Sequence, residues 1–138
     1  MSPRSQKNVA MECLRQARSA RNSAYAPYSD FKVGAALLTR RGDIYTGANV
    51  ENASYGLCVC AERAAVVKAV NAEDTDFEAL VVMTQSDPPS PPCGLCLQTL
   101  VEFAADLPIL LVNTKGKRVE TSLAKLFPGA FTRELLQR

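Results

Sequence analysis

The spacing of hydrophobic positions changes along the first third of the chain, and the change separates a helix from a pair of strands. Residues 8–22 place apolar side chains at helical intervals with arginines between them, which predicts an amphipathic helix. Residues 31–37 and 44–50 instead alternate between apolar and polar positions, and the polar stretch between them contains Gly42 and Asp43. This pattern predicts a β-hairpin.

The remaining two thirds alternate between predicted helices and predicted strands. Residues 60–71 hold good helix formers, and residues 77–84 form an almost unbroken apolar run that suits a strand buried on both faces. Prolines crowd residues 88–92 and exclude regular structure from that loop. The segments that follow are a helix after Pro92, a strand at 109–112, a polar edge strand around Val119 and a short helix at 122–127.

This order of elements predicts the fold class. Strand-helix-strand units require crossover connections, so we expect an α/β fold, a three-layer α/β/α sandwich around a mixed five-stranded sheet. No internal repeat, low-complexity tract or flexible linker divides the sequence. A length of 138 residues therefore predicts a single domain that spans residues 1–138.

Composition and charge narrow the function classes. Hydrophobic residues make up 47% of the chain and charged residues 22%, which argues against disorder, and a formal net charge of +2 argues against a strongly basic nucleic-acid-binding protein. No stretch reaches the ~20 apolar residues of a membrane span, and no signal-peptide core follows the first residues. We therefore expect a cytoplasmic protein with a small-molecule partner and no nucleic-acid or membrane contacts.

The sequence lacks histidine, and this absence restricts the kinds of catalysis and metal binding that are possible. The chain has 5 cysteines and no histidine, which excludes histidine acid-base catalysis and every metal site that needs an imidazole. Cys60 and the pair Cys93 and Cys96 open two predicted helices, where free backbone N–H groups favour thiolate. Three thiolates would leave one position of a four-coordinate zinc open for water, and Glu62 could carry its protons. A redox pair or simply buried cysteines remain alternatives.

Several segments in a fixed order carry a resemblance to a known family. They are FKVGAAL at 31–37, GANVENASY at 47–55, CAER at 60–63, PCGLCLQ at 92–98 and LFPGAF at 126–131. With them the chain resembles the cytidine deaminases of the small, homotetrameric, three-cysteine zinc type, over nearly its whole length. The Cys-Ala-Glu and Pro-Cys-x-x-Cys segments also match the signature of zinc deaminases, with cysteine as the first ligand.

The resemblance implies the reaction and the residues that perform it. Cys60, Cys93 and Cys96 would hold one zinc ion per subunit. The reaction would be hydrolytic deamination of cytidine and 2′-deoxycytidine to uridine and 2′-deoxyuridine with release of ammonia, a step of pyrimidine salvage. Zinc-bound hydroxide would attack C4 of the pyrimidine, and Glu62 would shuttle protons to N3 and to the departing amine.

The resemblance also implies which residues surround the substrate. Asn49 and Glu51 would bind the sugar hydroxyls, and residues two apart on a strand end face the same side. Phe31 would contact the base and the sugar, and the backbone of Ala61 would contact the pyrimidine. Phe131 would close the pocket from a neighbouring subunit, and Tyr55 would lie in a subunit contact. Arg63 would donate hydrogen bonds to the zinc thiolates. The implied assembly is a homotetramer in which neighbouring subunits complete each pocket.

Two positions depart from the family pattern. Leu97 stands where the family usually has arginine, and Pro91 stands where serine commonly precedes Pro-Cys. Both changes leave the zinc ligands and Glu62 intact, so they bear on the acidity of the zinc-bound water and on substrate preference. Cys13 and Cys58 match no ligand position and are interpreted as buried or incidental thiols. Two alternatives stay open: a related deaminase of an antibiotic nucleoside, and an inactive zinc-binding or nucleic-acid-binding module on the same fold.

Overall fold

The apolar segments of the chain pair into a five-stranded sheet. The computed structural model describes residues 3–136, so the outermost residues of the predicted domain lie outside the described part. Its elements are α1 (Pro3–Arg21), β1 (Gly34–Thr39), β2 (Ile44–Ala48), a 3-10 helix (Tyr55–Leu57), α2 (Ala61–Asn71), β3 (Phe77–Thr84), α3 (Gly94–Val101), β4 (Pro108–Asn113), β5 (Arg118–Ser122), α4 (Leu123–Leu126) and α5 (Arg133–Leu136). The strands lie in the order β2-β1-β3-β4-β5, and β3 and β4 are parallel whereas the other neighbours are antiparallel. The prediction of a mixed sheet is confirmed.

Helices cover both faces of this sheet. The central strand β3 contributes Leu80 and Val82 to one hydrophobic core and Val81 and Met83 to the other, because successive side chains of a strand point to opposite faces. The first core also contains residues of α2, α3 and α4, and the second contains residues of α1. The predicted three-layer α/β/α sandwich is therefore confirmed. Within residues 3–136, no helix has the length and apolar character needed to cross a membrane.

The first predicted strand begins later than its alternating pattern suggests. The alternation starts at Phe31, whereas β1 starts at Gly34. The side chain of Asn49 accepts a hydrogen bond from the Val33 backbone N–H at 2.8 Å and donates one to the Phe31 carbonyl at 2.7 Å. A side-chain amide thus occupies backbone groups that the strand ladder would otherwise use. The sequence pattern also gave no sign of the 3-10 helix or of α5.

Strand direction brings two helix starts to one edge of the sheet. The strands β2 and β3 run in the same direction because each is antiparallel to β1. The chain leaves both strands at the same edge and then enters α2 and α3. The N-termini of α2 and α3 therefore face the edge at which functional sites of open α/β sheets are found.

Candidate functional site

The two helix starts bring three cysteine sulfurs together. Cys60 is the residue that caps α2, Cys93 caps α3, and Cys96 lies in the first turn of α3. The Cys93 Sγ lies 3.6 Å from the Cys60 Sγ and 3.6 Å from the Cys96 Sγ, and all the sulfurs lie within 4.8 Å of one another. The sequence prediction that these residues form one cluster is confirmed.

The spacing of these sulfurs fits a zinc ion better than a disulfide. Tetrahedral zinc with Zn–S bonds of about 2.3 Å holds its sulfur ligands about 3.8 Å apart. A disulfide requires about 2.05 Å, and the cysteines are free thiols. The donor set is therefore that of a zinc site with three protein ligands, which leaves a fourth position for water or substrate.

The protons of the cluster are shared unequally between the thiols. Hydrogen bonds from Cys96 and Cys93, together with the positive charge of Arg63, lower the pKa of Cys60 to about 5. The pKa of Cys96 is raised, first because its thiol donates to the Cys60 sulfur and then because it is buried. The Cys60 thiol thus gives up its proton readily, whereas the Cys96 thiol resists losing its own. A divalent cation, which binds thiolates, supplies the charge that removes this resistance.

Arg63 connects the cluster to the loop that precedes α2. One guanidinium nitrogen of Arg63 donates a hydrogen bond to the Cys58 carbonyl at 2.9 Å. The Arg63 Nε is buried and has no hydrogen-bond partner among residues 3–136, although the cation lies close enough to Cys60 to lower the pKa of its thiol. A buried N–H without a partner beside a sulfur is a donor available to a metal-bound thiolate.

Glu62 places a carboxyl group beside the cysteine cluster. It lies in the first turn of α2 and is only 5% exposed. Burial disfavours its charged form and raises the pKa of Glu62 to about 7. A carboxyl group with this pKa can both hold and release a proton near neutral pH.

One cavity of about 240 Å³ joins most of the predicted site residues. It is lined by Phe31, Asn49, Glu51, Cys60, Ala61, Glu62 and Cys93 among others. These residues come from the segment before β1, the segment after β2 and the starts of α2 and α3. Cys96 lies beneath the cavity wall and is buried. The structure therefore brings together residues that lie as many as 62 positions apart in the sequence, from Phe31 to Cys93.

Asn49 and Glu51 reach the cavity with their side chains partly engaged. Glu51 Oε1 accepts hydrogen bonds from the backbone N–H groups of Tyr28 at 2.9 Å and Ser29 at 3.1 Å, and Glu51 Oε2 accepts one from the Ser29 hydroxyl. These bonds, the Ser29 hydroxyl first, lower the pKa of Glu51. The Asn49 side chain donates a hydrogen bond to the Phe31 carbonyl and accepts one from the Val33 N–H.

Two predicted residues lie on the surface outside this cavity. Phe131 is 56% exposed, and its backbone carbonyl accepts a hydrogen bond from Gln98 at 2.9 Å. Tyr55 is 74% exposed in the 3-10 helix and makes an edge contact with Tyr28 at a ring-centroid distance of 6.1 Å. Both aromatic side chains are therefore free to meet another subunit, and their predicted roles remain predictions.

The structure places the two cysteines that match no ligand position. Cys13 is buried, as expected, but Cys58 is half-buried and lines the cavity. It does not join the sulfur cluster; its Sγ accepts a hydrogen bond from the Asn52 N–H at 3.3 Å. Cys58, Val59 and Cys60 all line the cavity, so the sequence signal for this placement was nearness to Cys60.

The two departures from the family pattern have different surroundings. Leu97 is 7% exposed and belongs to the large hydrophobic core shared by α2, α3 and α4. Pro91 lines the cavity together with Val82, Thr84 and Ser90, which sequence reasoning did not single out. These cavity residues follow from the end of β3 and the loop after it, and no local motif marks them.

Comparisons with known proteins agree with this geometry. Residues 7–111 match the family model described as the cytidine and deoxycytidylate deaminase zinc-binding region. The chain is 47% identical over 122 residues to the cytidine deaminase of Sporosarcina psychrophila, which covers 88% of this chain and 90% of that protein. It is also 47% identical over 122 residues to the cytidine deaminase of Halalkalibacterium halodurans, covering 88% and 92%. The crystal structure of cytidine deaminase from Burkholderia pseudomallei superposes with a TM-score of 0.84 at 45% identity and covers 88% of this chain and 98% of that chain.

Proposed function

The chain belongs to the cytidine and deoxycytidylate deaminase family, and from this premise we propose that it deaminates cytidine and 2′-deoxycytidine with Glu62 as the proton carrier. The observation that carries the proposal is the placement of the three-cysteine cluster and the buried Glu62 along one cavity. An inactive zinc-binding module has no use for a carboxyl group in this position. The retained Glu62 therefore supports an enzyme.

Cys60, Cys93 and Cys96 would hold the zinc ion, which as a Lewis acid would make a water molecule in the cavity more acidic. The carboxyl group of Glu62 takes a proton from this water and donates it to N3 of the pyrimidine, which makes C4 more electrophilic. The water oxygen, now a hydroxide, bonds to C4. Glu62 then takes the remaining proton of this oxygen and delivers it to the amine as the C4–N bond breaks. The water oxygen stays on C4, so the products are uridine and ammonia.

The charge of the cavity supports a nucleoside substrate over a nucleotide. Glu51 and Glu62 both line it, and the described lining residues include no lysine or arginine. A phosphate monoester carries about two negative charges near pH 7 and needs positive partners. We therefore expect the enzyme to deaminate cytidine and 2′-deoxycytidine but to leave the 5′-monophosphates nearly untouched.

The substrate is held by residues from several segments. Phe31 and the backbone of Ala61 contact the base, and Asn49 and Glu51 bind the sugar hydroxyls. Support comes from the position of all four residues along the cavity and from the hydrogen-bonding capacity that remains on Asn49 and Glu51. The same sugar contacts favour a plain nucleoside over an antibiotic nucleoside with a modified sugar.

The test of the function is turnover of cytidine by the zinc-loaded protein. Loss of cytidine absorbance and release of ammonia should both occur, and Glu62→Gln should reduce kcat by about 10²-fold to 10⁴-fold, the scale of general acid-base catalysis. The zinc content of this variant should stay near one per chain. Glu78→Gln changes an exposed carboxyl group on β3 outside the cavity and should leave kcat unchanged. Wild-type activity of the Glu62→Gln variant would contradict the proposed role.

We further propose that the working enzyme is a homotetramer whose subunits complete one another's pockets. Large apolar side chains are exposed near the cavity and on the C-terminal segment, namely Tyr25, Tyr28, Val50, Tyr55, Leu57 and Phe131. Exposed apolar surface of this kind is typical of subunit contacts. In the tetramer, Phe131 of one subunit closes the pocket of its neighbour, and Tyr55 lies in the contact.

Sedimentation equilibrium tests the assembly directly. The wild-type protein should give a mass close to four times the 14.9 kDa of one chain. Tyr55→Asp should shift the mass towards smaller species, whereas Glu78→Asp should not. A monomeric and fully active wild-type protein would contradict the proposal.

Two coarser proposals complete the description. We propose that residues 1–138 form a single catalytic domain, since the two cores share the same sheet. We also propose a cytoplasmic location, because a site of three free thiols suits a reducing compartment. Fluorescence microscopy of a tagged chain tests the location, and a single cooperative unfolding transition tests the domain.

A further inference from the structure

The segment that carries Phe31 into the cavity is held mainly by side chains, with backbone bonds only at its two ends, from the Asp30 N–H to Ala26 and from the Asn49 N–H to Val33. Residues 30–33 lie outside regular secondary structure. The Phe31 N–H donates to the Ser29 hydroxyl at 3.0 Å, and the Asp30 carbonyl accepts from Gln85 at 3.2 Å. The Lys32 carbonyl accepts from Arg21 at 2.8 Å, in addition to the two bonds of Asn49. The position of Phe31 therefore depends on polar side chains from several elements.

Ser29 has a special place in this arrangement because its hydroxyl makes two bonds. It donates to Glu51 Oε2 and accepts from the Phe31 N–H. A hydroxyl has one donor and two acceptor positions, so it can serve both partners at once. One side chain thus connects a residue that binds the sugar to a residue that contacts the base.

The hydrogen bonds to Glu51 also determine which of its oxygens remains available. A carboxylate accepts about four hydrogen bonds, two on each oxygen. Oε1 already accepts from the N–H groups of Tyr28 and Ser29, whereas Oε2 accepts from the Ser29 hydroxyl alone. Oε2 therefore keeps one acceptor position, which can receive a sugar hydroxyl. The Ser29 hydroxyl fixes the direction in which this position points.

We infer that Ser29 is a positioning residue that couples the sugar-binding carboxylate of Glu51 to the Phe31 wall of the cavity. The inference rests on the proposed function, because it assigns substrate contacts to Glu51 and Phe31. Ser29 does not touch the substrate. It orients Glu51 Oε2 and the Phe31 backbone together, so that the sugar and the base are both held in a fixed position relative to Glu62.

This coupling has a consequence for the loss of Ser29. Without its hydroxyl, Glu51 Oε2 loses the bond that orients it, although Oε1 keeps its two N–H bonds, and the Phe31 N–H loses its partner. Both changes weaken substrate binding before any step at C4. The effect should therefore be found mainly in KM and in the affinity for the product.

The test compares Ser29→Ala with Ser29→Thr and Ser23→Ala. Ser29→Ala should raise KM for cytidine and the Kd of uridine, measured by calorimetry, by about tenfold, the scale of one hydrogen bond to a charged group. Ser29→Thr keeps the hydroxyl and should restore values close to those of the wild type. Ser23 is an exposed serine in the turn that follows α1, and its hydroxyl has no partner among residues 3–136, so Ser23→Ala should behave as the wild type. Zinc content and Tm should be the same in all these proteins.

A double-mutant cycle with Glu51→Ala tests the coupling itself. If Ser29 acts through Glu51, Ser29→Ala should reduce kcat/KM much less in the Glu51→Ala background than in the wild type. Fully additive effects, or unchanged KM and uridine affinity in Ser29→Ala, would overturn the inference. A fall in activity that follows a fall in Tm or zinc content would assign Ser29 to stability instead. Failure of the wild-type protein to deaminate cytidine or bind uridine would count against the proposed function, which separates the two questions.

Discussion

Gly47 in β2 is a point at which α2 lies very close to the sheet. A methyl group built on Gly47 would lie 2.3 Å from the Ala61 carbonyl oxygen and 2.7 Å from the Ala65 backbone nitrogen. The closest non-bonded carbon–oxygen contacts in proteins are about 3.3 Å. Gly47→Ala therefore requires the first turn of α2 to move by about 1 Å. That turn carries Glu62, and Cys60 immediately precedes it.

The size of the expected effect follows from this displacement. Misplacement by about 1 Å can reduce an enzymatic rate by about 10²-fold, and an extra methyl group in a packed core costs about 1–3 kcal/mol of unfolding free energy. We expect Gly47→Ala to lower kcat/KM for cytidine by about 100-fold and to lower Tm. The assay is steady-state deamination well below the Tm of the variant, together with its zinc content.

Two controls separate a local displacement from a general loss of stability. Ser23→Ala changes an exposed side chain in the turn after α1, outside the cavity lining, so it should leave kcat/KM unchanged. Leu107→Ala removes a fully buried side chain just before β4, at the sheet edge away from the site, and should cost about 2–5 kcal/mol with little effect on kcat/KM of the folded enzyme. Wild-type kcat/KM in Gly47→Ala would refute the reasoning. An equal loss of kcat/KM in Leu107→Ala would refute it as well.

Three further predictions concern stability, the cysteine cluster and the metal. Asp74 is 1% exposed and accepts hydrogen bonds from Thr39 at 2.7 Å and Tyr45 at 3.0 Å. Asp74→Ala should therefore lower the free energy of unfolding by about 1–3 kcal/mol, measured by denaturant titration, and leave kcat/KM unchanged. Arg63→Gln removes the cation beside Cys60 and should lower zinc affinity or activity by about 10-fold to 100-fold, measured by competition with a chelator and by turnover. Removal of zinc should abolish deamination, lower Tm and expose thiols to a thiol reagent, and re-addition of zinc should reverse all three; activity that survives full removal would contradict the metal site.

The elements of the fold and the residues of the metal cluster can both be predicted from the sequence because the patterns that mark them are local. Helix and strand patterns are local, and so are the positions of Cys60, Cys93 and Cys96 at the starts of predicted helices. Only the meeting of those starts is long-range, and it follows from the shared direction of β2 and β3. A short list of topological rules therefore suffices to bring the cysteines together.

The residues that line the cavity could not be predicted from local patterns. Asn49 reads as a turn residue, yet its side chain replaces strand hydrogen bonds of the segment around Phe31 and delays the start of β1. Thr84 and Ser90 enter the cavity because the chain turns sharply after β3, and neither residue belongs to a motif. Such positions depend on contacts between distant segments, which hydrophobic periodicity does not record.

The absence of histidine links the charge of the metal site to the role of Arg63. Three thiolates and one Zn²⁺ sum to a charge of −1, whereas each imidazole ligand would have removed one negative charge. A negative site makes a bound water a poorer acid, so a cation near the sulfurs is needed. Leu97 fills the position where a second arginine is usual and is buried in the core, and Arg63 is the cation that acts on the Cys60 sulfur. We therefore expect the zinc site of this chain to depend strongly on Arg63, and Leu97→Arg should lessen the effect of Arg63→Gln only if the new side chain can leave the core.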